Sequence, residues 1–94
     1  MSIKRIRRAV RQERYEFTMH ALEEMDEDDF TEAEVRRALL NGELQARLTD
    51  DPRGLRFVVR GASNGVEIET VCRFLPSGLL RIITVYVPDD NLIW

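Results

Sequence analysis

Hydrophobic positions change their period along the chain, and the change divides it into two halves. Ile3, Ile6 and Val10 recur at spacings of three and four, which predicts an amphipathic helix over Ser2 to Gln12. Tyr15 to Met19 alternates briefly, as a short strand or an extended lead-in would. Met19, Leu22 and Met25 then repeat at threes and predict a short helix over His20 to Asp26. The sharpest local signal is Thr31-Glu-Ala-Glu34, a capping box in which the threonine accepts from the backbone and the glutamate reaches back to it. Phe30 and Val35 flank it as a hydrophobic staple, and the helix is expected to stop at Asn41-Gly42 with the glycine left-handed.

Beyond Gly42 the period is two. Leu44, Ala46 and Leu48 alternate with polar residues, Asp50 to Gly54 turns the chain, and Leu55 to Arg60 reads as a strand. Asn64-Gly65 is the pair favoured in a type I′ hairpin, and it joins this strand to another over Val66 to Phe74. A turn at Leu75-Pro-Ser-Gly78 leads into Leu79 to Val87, and Pro88 ends the last strand. There are no repeats or linkers. The expectation is a single α+β domain over residues 1–94, with N-terminal helices packed on a four-stranded antiparallel meander.

Register follows from the turns. With Asn64-Gly65 as the two central turn residues, Arg60 lies opposite Glu69 and Arg56 opposite Arg73. A four-residue loop at 75–78 sets Phe74 opposite Leu79, Glu69 opposite Thr84 and Glu67 opposite Tyr86. One sheet face would then carry Arg56, Arg60, Glu67, Glu69, Arg73, Thr84 and Tyr86. The other would carry Phe57, Val59, Val66, Ile68, Cys72, Ile83 and Val85 as core. An odd-length loop would turn Thr84 and Tyr86 to the core side.

Composition adds limits. The chain is 44% hydrophobic and 33% charged, which is the balance of a folded globule. No segment approaches the length of about 18 apolar residues that a membrane span requires, and MSIKRIRRAV lacks the apolar core of a signal peptide. The single cysteine excludes an internal disulfide, and with the single histidine it leaves no zinc cage. No membrane, metal or cofactor is expected, and the reducing cytoplasm is the expected location. The net charge of −3 conceals a basic start, with Lys4, Arg5, Arg7, Arg8, Arg11 and Arg14 against Glu13 alone. It conceals an acidic run from Glu23 to Glu34 as well.

The polar sheet face is the candidate for chemistry. Guanidinium forks at Arg56, Arg60 and Arg73 suit phosphate oxygens. Glu69 or Tyr86 could move a 2′-hydroxyl proton, with Thr84 orienting the groups. The plain alternative is a solvated face in which Arg60 and Glu69 form an ordinary cross-strand pair. His20 sits beside apolar neighbours, where a lone histidine commonly packs or caps, and Cys72 falls on the core face. Leu92, Ile93 and Trp94 form an apolar end that folds back or marks a contact surface.

Met19-His-Ala-Leu-Glu-Glu-Met25, Thr31-Glu-Ala-Glu-Val35, Leu40-Asn-Gly-Glu43, Phe57-Val-Val-Arg-Gly61, Ile82-Ile-Thr-Val-Tyr86, Pro88-Asp89 and Trp94, in this order, resemble the bacterial domain of unknown function 4258 over residues 15–94. That family is similar to the RelE/ParE-like toxins, and its members are often encoded beside a YgiT-type zinc-finger antitoxin, as in the MqsR/MqsA pairing. The resemblance implies a RelE-like fold and the toxin of a type II toxin–antitoxin system. It implies a metal-independent endoribonuclease (mRNA interferase) acting on RNA, free or on the ribosome. By position, His20 matches the family's histidine before Ala21, and Thr84 and Tyr86 match its Thr-Val-Tyr strand. Many members carry a second histidine in the strand aligned with Val66 to Cys72, where this chain has Glu69. Proton transfer would then fall to Glu69, Tyr86 or His20. The alternative is a non-catalytic protein-interaction module related to such toxins. A cognate antitoxin is expected across Arg56, Arg60 and Arg73.

Overall fold

The computed structural model describes residues 2–89, so the apolar end at Leu92 to Trp94 lies outside the described residues. Three helices, α1 (Ser2–Arg11), α2 (Met19–Glu27) and α3 (Glu32–Asn41), combine with five strands. The strands are β1 (Tyr15–Phe17), β2 (Glu43–Leu48), β3 (Arg56–Ser63), β4 (Val66–Phe74) and β5 (Leu80–Tyr86). They form one sheet in the order β1-β5-β4-β3-β2. The domain is α+β as expected, but the sheet is five-stranded and mixed rather than a four-stranded antiparallel meander. The fifth strand is Tyr15–Phe17, which runs parallel to β5 with Glu16 beside Arg81. A parallel partner 65 residues away leaves no turn signal between the two strands, which is why local pattern could not place it.

The helices cover one face. Ile6, Ala9 and Val10 of α1, Ala21 and Met25 of α2, and Val35, Ala38 and Leu39 of α3 enter the core cluster. There they join Phe57, Val59, Ile68, Cys72, Leu80, Ile82 and Val85 from the sheet. The expected stripe on α2 holds at Met25, but Met19 and Leu22 are exposed and Ala21 is buried instead. Tertiary packing chose a face one position away from the apolar period. Val66 is also exposed, at the turn, and is not a core residue.

The capping box at α3 is formed: Glu34 N–H donates to Thr31 Oγ1, and Thr31 N–H donates to Glu34 Oε1. The Thr31 N–H and the Thr31 hydroxyl, both donating to Glu34 Oε1, hold the Glu34 carboxyl below its ordinary range. Asn64 and Gly65 both take positive φ, of 54° and 79°, as a type I′ turn requires. Gly42 departs from expectation, since its φ of −80° is not left-handed. Glycine is needed there for space, because a Cβ would lie 2.6 Å from the Ala38 carbonyl oxygen and 2.6 Å from Val59. Gly61 is tighter still, with a Cβ falling 1.9 Å from the same oxygen. Between these two glycines α3 lies directly on β3, and Asn41 seals the approach by bonding both the N–H and the C=O of Ala62.

The β3–β4 register is the expected one, with Arg60 opposite Glu69 and Ser63 opposite Val66. The β4–β5 register is corrected. Phe74 pairs with Leu80, so the loop is one residue longer than expected and Leu80 and Ile82 turn to the core. A bulge between the Cys72/Ile82 and Val71/Thr84 pairs then restores the parity at Ile83. Thr84 and Tyr86 return to the outer face, with Thr84 opposite Val71 and Tyr86 opposite Glu69. Thr18 braces the bulge: its N–H donates to the Ile82 carbonyl and its hydroxyl to the Ile83 carbonyl. The same hydroxyl accepts from Ala21 N–H and starts α2.

Gly61→Ala should destabilise the fold by about 3 kcal/mol, because neither Ala38 nor the β3 backbone can retreat from the added methyl. Urea unfolding of the purified variant measures this, and a loss below ~0.5 kcal/mol would show that α3 can lift off β3.

Candidate functional site

Every sequence-selected strand residue of the outer face reaches that face, but its charges are already matched. Arg60 Nε donates to Glu69 Oε2 at 2.7 Å, and Tyr86 Oη donates to Glu69 Oε1 at 2.8 Å. The Glu69 side chain is 1% exposed, so this network bridges three strands with one buried carboxylate. Both carboxylate oxygens accept from a neighbour. That arrangement suits Glu69 to holding Arg60 and Tyr86 in place rather than to taking a proton from a ligand. Burial, then the bond to Glu69, pushes the Tyr86 phenol above its ordinary range. Tyr86 is therefore a held proton donor at neutral pH and a poor base. Thr84, opposite Val71, stands beside this network and not across from Glu69.

Arg56 and Arg73 are drawn elsewhere. Arg56 Nη2 lies 2.8 Å from Asp50 Oδ1, and Arg73 Nη1 lies 3.5 Å from Asp51 Oδ2. Asp51 also takes the Arg53 side chain and Arg53 N–H, which together hold its carboxyl down to about 2. The turn after β2 thus brings its own anions onto the sheet face and neutralises two of the three arginines expected to hold phosphate. Nothing in a local pattern shows which way such a turn folds.

His20 approaches from the other side. Its Nε2 lies 3.3 Å from Glu24 Oε1, one helical turn on, and the imidazole is 64% exposed. The same Glu24 oxygen accepts from Val85 N–H at 3.1 Å. β1 pairs with β5 only as far as Ile82, so Glu24 occupies the open edge of β5 beyond β1's end. Tyr86, the next residue, feels Glu24's charge as the last of the causes raising its phenol. The outcome is a cluster at the end of β5: His20 and Glu24 on the edge, with Tyr86, Glu69 and Arg60 on the outer face. Glu24 was not selected from sequence, although its i,i+4 spacing from His20 was a readable signal. Cys72 takes no part, because burial raises its thiol to about 12. Among the described residues no group of three or more His, Cys, Asp or Glu is placed to hold a metal ion. No helix among them is long and apolar enough to cross a membrane.

A family model described as Domain of unknown function (DUF4258) matches residues 17–87. The chain belongs to this family. Comparison with curated proteins and with solved structures gave no significant match. The matched region begins within β1, runs past the β5 cluster and leaves α1 outside.

Tyr86→Phe should cost about 1 kcal/mol at neutral pH by leaving Glu69 one donor short. Because folding raises the phenol's pKa, its contribution is complete below the unfolded value near pH ~10 and is lost above it. Parent and variant should therefore converge in urea stability as pH rises beyond that point. A constant gap would show that the hydroxyl's surroundings do not change on unfolding.

Proposed function

We propose that this protein is the toxin of a type II toxin–antitoxin system, of the RelE-like group, and that it cleaves RNA in the cytoplasm without a metal. The observation that carries this reading is the exposed His20 imidazole, oriented by Glu24 at the edge of β5 beside the Tyr86–Glu69–Arg60 network. In such a reaction the ribose 2′-hydroxyl attacks the adjacent phosphorus and the bond from phosphorus to the 5′-oxygen breaks. A 2′,3′-cyclic phosphate and a free 5′-hydroxyl result. His20 takes the 2′-hydroxyl proton, the leaving 5′-oxygen takes its proton from solvent, and Arg60 and Tyr86, both held by Glu69, border the phosphate. Thr84 lines the approach, Glu69 positions Arg60 and Tyr86, and a cognate antitoxin would cover this edge.

The second reading, a non-catalytic interaction module, draws on a specific observation too. Arg56 and Arg73 are ion-paired with Asp50 and Asp51, and Arg60 with Glu69, so the outer face presents little unmatched positive charge.

Induced expression in bacteria separates the two. The cleavage reading expects growth arrest and transcripts ending in 2′,3′-cyclic phosphate. His20→Ala should lower cleavage about 10²-fold or more, the scale of general acid–base catalysis, at unchanged melting temperature. Harmless induction, or arrest by His20→Ala equal to that of the parent, would favour the interaction module.

A further inference from the structure

Among the described residues, a concentration of unmatched positive charge lies away from the β5 cluster, on α1. Its apolar residues Ile6, Ala9 and Val10 are buried in the core, so the helix has no apolar face left for a lipid surface. Lys4, Arg8 and Arg11, at i, i+4 and i+7, form an exposed row about 10 Å long. Among the described residues none of the three has a carboxylate partner. Arg7 is committed inward, donating to the Gly42 carbonyl.

The row borders a series of adjoining depressions. Arg8 and Gln12 are shared by the first and second, and Arg5 and Phe74 by the second and third. None of the described residues lining them is acidic. At the shared wall the Arg5 guanidinium carbon sits over the Phe74 ring, 3.9 Å from its centre, and Arg5 is exposed. Leu75 and Pro76 continue the apolar floor beyond it. A line of unpaired cations ending at a fixed guanidinium–aromatic platform has two complementary requirements. It calls for regularly spaced anions and for flat, stackable faces on the same chain.

We propose that α1 and the β4–β5 turn form a docking groove for single-stranded nucleic acid. Lys4, Arg8 and Arg11 track the phosphates, and Arg5 over Phe74 stacks against a base. An acidic polypeptide would satisfy the cations and leave the platform unused, while a duplex would keep its base faces hidden. The groove lies outside the family-matched residues 17–87 for all of its α1 contribution, so it is a property of this chain's own N-terminal helix. It stands independently of the cleavage reading. Arg14, at the end of the groove, and His20 lie six residue steps apart, at most about 20 Å, so one strand could also reach the β5 edge.

Fluorescence anisotropy with a labelled single-stranded oligouridylate of about twelve nucleotides, and with the matching oligothymidylate, tests the groove using the full chain. Both should bind at about 50 mM salt, and affinity should fall linearly with salt on logarithmic axes. A stronger signal from the RNA would identify 2′-hydroxyl contacts, and equal signals would identify backbone and stacking alone. Arg8→Glu with Arg11→Glu should weaken binding at least tenfold and reduce the salt slope by about 1.4, the value for two phosphate contacts on a single strand. Arg8→Gln with Arg11→Gln should show the same slope change with less risk to folding, which circular dichroism checks. Arg5→Ala should weaken binding about tenfold while leaving the slope nearly intact for all but one contact. No binding by either oligonucleotide, an unchanged slope in the double variants, or equally tight binding of poly-glutamate would overturn the proposal. The assay requires no cleavage, so absence of growth arrest would count against the β5 site only.

Discussion

The structure turns on the cost of placing arginines against a sheet. A guanidinium turned toward a protein surface that excludes water must find an anion, because desolvation of the bare charge outweighs what packing returns. Glu69 answers this for Arg60 and Asp51 for Arg73, and both carboxylates are themselves nearly inaccessible. Around them the valines of the outer face, Val58 and Val71, are buried as fully as core residues. The sheet therefore has two protected faces, one covered by helices and one organised by matched charge. The second face gains geometric definition and gives up free positive charge.

That exchange relocates the functional question. A face of arginines reads as an anion site only while its carboxylates are assumed to be elsewhere. Once Arg60 and Tyr86 share Glu69, the groups with chemical freedom are those at the strand edge, where β1 stops and Glu24 reaches from α2 to the Val85 amide. An edge strand offers unpaired backbone groups. Here one of them fixes the carboxylate that in turn faces the exposed histidine. The Ile83 bulge is part of the same device, since it brings Tyr86 round to Glu69 and presents two successive carbonyls to Thr18. Removal of that extra residue would turn Tyr86 into the core.

The N-terminal helix follows a different rule. Its buried stripe anchors it to the common core, while Lys4, Arg5, Arg8 and Arg11 are exposed. Exposed cations of this kind stay hydrated and steer anionic partners toward the helix. The helix and the β5 edge are thus two separable regions, one rich in free charge and one rich in proton-carrying groups.

Short-range chemistry was legible in the residues alone. The capping box at Thr31, the Asn64-Gly65 turn and the pairing of Arg60 with Glu69 follow from bonds spanning a few residues, where few alternative geometries exist. The helix periods and the change to strand period located most elements for the same reason. What only the tertiary structure decided was set by partners distant in the chain. These include Tyr15–Phe17 joining β5 and the turn at Asp51 folding onto Arg73. They also include α3 coming close enough to β3 that Gly42 and Gly61 serve space rather than conformation. The loop before β5 shows the boundary between the two. Its residues permit either parity with little difference in local energy, and the choice was made by burial of Leu80 and Ile82 against the helices, followed by a bulge that no local pattern encodes.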